Sequence, residues 1–389
     1  MIRLRKKLIY CFVTIPVILQ IILSENGYAS ITRTRTMGDV GIILRDDANY
    51  WIFPSTICYN KNIVSFELGG SSELLTYFPA GYGFNKSAGG VISAGKSGNI
   101  KIGAGWSEMV SRNPFLTYSS GGGTTDSRFD LFYGKATKDE VFGVHLERHA
   151  DLMSTSATPG SDSRISITRH RLEMGKSTPQ TDMTVGYQLS NYYNKTKGST
   201  SKTIYNHCLN LGYRKFNNIR ESLTMTPFIV TQLEFEFNNI SDTDAGAAEV
   251  WAGIGLNHSI DENNLIVGAL SVRGSYTLLT ADGQDKTSIS LDLPFVFGGI
   301  ESRPLSWLFL RVGFQKTVQR TININKNNNV KSKSVATQAP YGLTCGIGLE
   351  YKRLKMDFSY DFNNLRKGLY LLSGKESNLC NLISIEYQM

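Results

Sequence analysis

After residue 29 the chain has no apolar run approaching the ~20 residues that a helix needs to cross a bilayer, which excludes a helical membrane bundle. Cysteine is scarce: of five, Cys11 lies in the leader, leaving Cys58, Cys208, Cys345 and Cys380. Their spacings match no metal motif, and although an exported chain can form disulfides, none is expected to be catalytic. The five histidines are His145, His149, His170, His207 and His258, and they read as isolated strand or loop residues. His145 and His149 could meet on a helix, but four residues along a strand is ~13 Å, too far to share a metal ion. No serine stands in a nucleophile elbow, and no sharply acidic pair lies beside a histidine. No catalytic, metal-binding or cofactor-binding residue is therefore assigned, and the chain is not read as an enzyme. No basic block resembles a nucleic-acid footprint.

What is present begins with an export leader. Arg3, Arg5, Lys6 and Lys7 precede an almost wholly apolar stretch over 8–23, and Gly27, Tyr28 and Ala29 place small residues three and one before a cut. The stretch is short for a retained anchor, so cleavage after Ala29 is expected. Removing Glu25 and the four basic residues lowers the formal net charge from +8 to +5. Some of the basicity is thus targeting.

The rest alternates. Ile289, Leu291, Leu293, Phe295 and Phe297 share one face of a strand pattern, opposite Ser288, Ser290 and Asp292. Leu308, Leu310, Val312 and Phe314 oppose Arg311 and Gly313, and Leu343, Cys345, Ile347 and Leu349 oppose Thr344, Gly346, Gly348 and Glu350. Period two puts the two classes on opposite faces of a strand. Soluble and membrane barrels share this pattern, with the faces exchanged. Length favours the membrane: 223–237, 263–279 and 288–300 exceed the ~5–6 residues usual in globular strands. Many of the 19 Tyr and 19 Phe lie near segment ends, as in interface girdles.

Sixteen candidate strands run from 63–69 to 382–389; assigning two early ones to a plug leaves 14, an allowed even number. Strand glycines are expected to relieve crowding or permit bends, and Pro227 and Pro294 to mark bulges or local breaks. Residues 323–334, rich in Asn and Lys, read as a mobile extracellular loop. Glu147, Arg214, Glu234, Glu236, Arg273, Arg311 and Glu350 fall on polar faces and should line a lumen. Arg148 and Arg169 instead share parity with apolar neighbours.

Before the first strand stand Met37-Gly38, Asp46-Asp47-Ala48 and Phe53-Pro54. Asp46 or Asp47 could cap a short helix that Pro54 would end. This segment resembles the start of the superfamily of outer-membrane barrels that holds the long-chain fatty-acid transporters and the type IX secretion shuttle. Phe53-Pro54 stands where that superfamily has Asn-Pro. The resemblance implies a 14-stranded barrel with its N-terminal segment tucked into the lumen.

The resulting expectation is an all-β chain: leader 1–29, plug segment 30–61 and transmembrane antiparallel β-barrel 62–389 in the bacterial outer membrane. The expected function is transport of small hydrophobic molecules, with a non-transport scaffold or secretion-system partner as the alternative. Expected partners are outer-membrane lipids, a hydrophobic ligand and another envelope protein, with no nucleic acid and no cofactor.

Overall fold

Alternating side chains hold a strand in place only when each face meets a matching medium. In the computed structural model, which describes residues 31–69, 84–94, 99–110, 125–156, 162–196, 201–238, 244–281, 284–327, 330–361 and 382–389, nearly all such segments become long antiparallel strands. The leader, Cys380 and the stretch 362–381 lie outside the described residues.

The strands are β1 (Ile63–Gly69), β2 (Phe84–Ala94), β3 (Ile100–Val110), β4 (Thr125–Ala136), β5 (Val141–Ser156) and β6 (Asp162–Ser177). They continue with β7 (Thr181–Thr196), β8 (Lys202–Lys215), β9 (Asn217–Arg220), β10 (Leu223–Asn238), β11 (Asp244–Ser259) and β12 (Asn264–Ala281). The last are β13 (Gln284–Leu305), β14 (Leu308–Asn327), β15 (Val330–Gln338), β16 (Tyr341–Tyr351), β17 (Leu354–Asp361) and β18 (Leu382–Gln388). Apart from short β9 and β15, which lie along β10 and β14, each pairs with its neighbours in a meander, and β1 pairs with both β2 and β18, closing the sheet. Closure leaves no open edge in the wall, as a bilayer demands.

The wall has 16 strands with two short extra ones, not 14. The early candidates 63–69, 90–94 and 100–106 all belong to the wall, as β1, β2 and β3; β2 and β3 pair in one register from Ala94↔Ile100 to Lys86↔Glu108 and shift before Phe84↔Met109. Each extra strand continues a broken line: β9 follows β8 along β10, and β15 precedes β16 along β14. Pro227 faces the break between β8 and β9, where its missing N–H costs no ladder bond. The stretch read as a mobile loop is likewise a hairpin, Gln319↔Gln338 through Asn327↔Val330. Register bonds hold it without a core, and every residue of β15 is exposed.

The faces sort as in a membrane barrel. Leu291 and Leu310 are 42% and 44% exposed, whereas Arg311 is 2% exposed and turned inward. Phe129, Leu131 and Tyr133 face out beside buried Arg128 and Asp130. The connections differ between the two ends. Tight turns such as Thr137–Glu140, closed by Thr137 N–H to Glu140 O, gather at the end where Ile63 pairs with Gln388. Such short turns mark the periplasmic end of outer-membrane barrels.

One expected face is wrong. Phe295 and Phe297 are 1% exposed and point into the barrel, opposite to Leu291. Leu293 and Pro294 together stand against Val272 on β12 and Val318 on β14, so β13 carries one residue more than each neighbour. A bulge of one residue exchanges the faces beyond it. Pro294 marks a break in the sequence, but alternation alone does not record the extra residue beside it.

Candidate functional site in the barrel lumen

Residues 31–62 lie within the barrel near its short-turn end. Helix α1 (Ile31–Thr36) is followed by three 3-10 turns, Val40–Ile42, Asp47–Trp51 and Pro54–Tyr59. Pro54 opens the last turn rather than ending a helix, because at the first helical position its missing N–H is harmless. Asn49 caps backward: its Oδ1 accepts from Asp46 N–H at 3.0 Å.

Short turns leave many backbone carbonyls unpaired, and the wall satisfies them. Arg214 on β8 donates to the carbonyls of Gly41, Ile42 and Leu44 at 2.9, 3.1 and 3.0 Å, and to Asn49 Oδ1 at 2.6 Å. Its Nε donates to Asp182 on β7 at 2.8 Å, and Asp182 also accepts from Arg45 at 2.7 Å. Arg45 reaches the β6–β7 turn through the carbonyls of Thr178 and Pro179, both at 2.9 Å. Asn257, Gln315 and Thr344 donate to the carbonyls of Ile43, Gly38 and Thr36. A second chain of charge starts at Arg33, which grips Glu301 with two bonds of 2.7 Å. Arg311 bridges Glu301 at 2.5 Å and Asp357 at 2.6 Å. Bidentate, buried pairs of this kind are strong when every member is satisfied, and costly when one is removed.

The strand glycines explain the close seating. A methyl group at Gly143 would overlap the backbone of Pro54 and Ser55, and one at Gly313 would overlap Met37 and Gly38. Only glycine lets the segment's backbone lie directly on the wall there.

On the β4–β6 side the lumen holds a third network. His145 lies within 2.8 Å of Glu173 Oε2 through Nδ1 and 2.7 Å of Asp130 Oδ1 through Nε2. Arg128 pairs with Asp130 at 2.6 Å and Arg171 with Glu173 at 2.5 Å, and both approach Glu147. Phe132 stacks on His145 at 4.2 Å, and Trp51 of the N-terminal segment meets both rings edge-on. His145 is therefore not isolated, and an acidic pair does flank it. Neither carboxylate is near it in sequence; the register His145↔Glu173 and the adjacent Glu147↔Asp130 rung bring them together. Asp130, His145 and Glu147 each bring one oxygen or nitrogen within 4.8 Å of the others, the spacing of a metal site. The donor set fits a cation poorly: carboxylates already engage both ring nitrogens, and two arginines neutralise the acids.

The opposite side is apolar. Phe228, Trp251, Phe295 and Phe297 form an aromatic inner wall, with the Phe295 and Phe297 rings stacked at 5.1 Å, and they pack on Met37, Val40, Ile42, Ile43 and Phe53. Trp251 Nε1 donates to Ser271 Oγ at 3.0 Å, so the ring is buried without an orphan donor.

The lumen charges expected from parity face inward: Glu147, Arg214, Glu236 and Arg311 are buried, and Glu234, Arg273 and Glu350 are half-buried. Arg169 also turns inward, half-buried in line with Ile167, whereas Arg148 is exposed on the outer face. Within the N-terminal segment, burial raises the Asp39 carboxyl above the usual range, opposed by Arg35 and by the Gln315 amide. Burial also pushes the Cys58 thiol up to about 11. At Arg33, burial pulls the guanidinium down but Glu301 more than offsets it.

No family model matches the sequence, and no curated protein does. Among solved structures the chain is similar to CdiB from Escherichia coli, with a TM-score of 0.43 and 8% identity over 84% of this chain and 63% of that one. It is also similar to the FrpB iron transporter from Neisseria meningitidis (TM-score 0.39, 10% identity, 79% of this chain and 62% of that one). For the ferric yersiniabactin uptake receptor FyuA from Yersinia pestis the TM-score is 0.33 at 9% identity, over 84% of this chain and 79% of that one. The chain thus spans less than two thirds of CdiB and FrpB.

Proposed function

We propose that this chain is a bacterial outer-membrane barrel that passes small apolar molecules, with residues 31–62 acting as a plug that must shift for passage. The apolar outer face, the closed even-numbered wall and the tight turns gathered at one end support the location. The observation that carries the apolar substrate is the aromatic inner wall. Beside the Arg, Asp and Glu networks of the lumen, Phe228, Trp251, Phe295 and Phe297 stand together, directly against the segment that would move. The resemblance of Met37-Gly38 and Asp46-Asp47-Ala48 to fatty-acid transporters points the same way, although 16 strands depart from the 14 it implies. Uptake of an apolar fluorophore by cells with and without the chain tests the reading. Phe297→Asp should lower uptake while leaving the barrel assembled, and equal uptake with and without the chain would refute it.

A second reading, docking of another envelope protein, has one observation of its own. The upper halves of β13 and β14 run on with β15 as an exposed extension, with Val330 70% and Val335 49% exposed. Removing 323–336 should then abolish co-purification of that protein and leave uptake intact.

A further inference from the structure

The register of β4 to β7 lines the outer face into level rows. At the short-turn end Lys135, Phe142 and Lys176 are neighbours; above them come Tyr133, Val144 and Met174, then Leu131, Leu146, Leu172 and Tyr187. The next row, Phe129, Arg148, His170 and Leu189, interrupts the apolar surface at its middle, where Arg148 lies directly opposite His170 and both are exposed. Ser127, Ala150, Thr168 and Asn191 follow. An arginine and a histidine therefore stand together on the loop-side border of a band that otherwise suits acyl chains.

A groove of about 500 Å³ opens there, floored by Leu131, Leu146, Leu172 and Tyr187 under Arg148 and His170. Among the described residues, the rows that hold and flank Arg148 and His170 carry no outward carboxylate, and neither Arg148 nor His170 makes an ion pair. Glu147 belongs to the same stretch of β5 but turns into the lumen towards Arg128 and Arg171. An arginine facing lipid is costly, and it persists where an anion or water meets it. On the loop side of the band the anion at hand is a lipid headgroup.

We infer that this groove binds a phosphate-bearing glycolipid of the outer leaflet. Its phosphate sits between Arg148 and His170, and its acyl chains lie on Leu131, Leu146 and Leu172. Guanidinium suits phosphate because its fork of N–H donors can hold two oxygens at once. The site rests on the membrane-embedded reading above and adds a ligand class and a place to it.

The test uses the full chain in nonionic detergent, with diphosphoryl lipid A as probe and native mass spectrometry as readout. Bound lipid A should fall about tenfold in the Arg148→Leu/His170→Leu variant, whose leucines suit a lipid-facing surface and leave assembly intact. The same lipid without phosphates should bind about tenfold more weakly than lipid A, and millimolar inorganic phosphate should fail to displace it. Unchanged binding by the double variant, equal binding of the phosphate-free lipid, or displacement by phosphate alone would each overturn the site. Flotation of the chain with phosphatidylethanolamine vesicles tests the embedding separately. A chain that floats but binds lipid A independently of Arg148 and His170 keeps the barrel and loses the site; a chain that does not float loses both.

Discussion

Gly143 and Gly313 show how single residues set the lumen. Neither lies in a turn, and their role emerges only when residues 31–62 are laid against the wall. Gly143→Val should unseat the Pro54 turn, and rapid labelling of Cys58 by a polar maleimide in the folded barrel would report it. Gly274→Ala is the control, since nothing lies within 4 Å of a methyl group there. Equal labelling in all three proteins would refute the close seating. Asp39 gives a pH test. Its carboxyl, raised by burial, prefers the proton in the folded chain, so its charge weakens docking at neutral pH. The sign follows: stability rises as pH falls through the folded value and the effect is complete below the unfolded value. Asp39 sits at φ 59, which asparagine tolerates. Asp39→Asn should therefore be more heat-stable than the natural chain at pH 7.5, and the gap should close below ~pH 4. A gap of the same size at both pH values would assign it to something other than charge.

Among elements, the strands were legible and their partners were not. Leu308 to Phe314 kept their expected face because β14 runs in unbroken register against β16 through them. β13 did not, because its alternation reads straight through Pro294 while its backbone does not. Hydrophobicity repeats at 295 and 297, but only pairing with β12 and β14 reveals the extra residue. The charge network around His145 was hidden for the same reason: Asp130, His145 and Glu173 come from three strands whose stagger no single segment records. Orientation itself has a direct test. Leu291→Arg and Leu310→Arg should each cost ~2–4 kcal/mol of folding stability in lipid, and Ser290→Arg less, because it faces the lumen. Equal refolding yields for the three would contradict this orientation, and a lower yield for Ser290→Arg would show that the faces are exchanged.

At the level of the whole molecule, closure depends on β18, whose Ile383↔Leu68 and Gln388↔Ile63 pairs join the last strand to the first. Ile383, Ile385 and Tyr387 alternate with Ser384 and Glu386, so this strand was legible at both faces. Deleting residues 383–389 should abolish insertion, whereas Met389→Phe should preserve it, as heat-shifted mobility in detergent would report. The strand total was less legible, because the short early segments that become β1, β2 and β3 show their place in the wall only through their pairing with one another, β4 and β18. The lumen is where sequence said least, since its contents are set by how residues 31–62 fold back against the wall. Arg33 and Arg214 hold that segment through Glu301, Asp182 and the carbonyls of Gly41, Ile42 and Leu44. The most direct measurement is single-channel conductance in a planar bilayer for the natural chain and for Arg33→Ala/Arg214→Ala. The natural chain should stay near background and the double variant should open frequently, whereas a wide, steady pore in the natural chain, or no change in the variant, would contradict a lumen closed by residues 31–62.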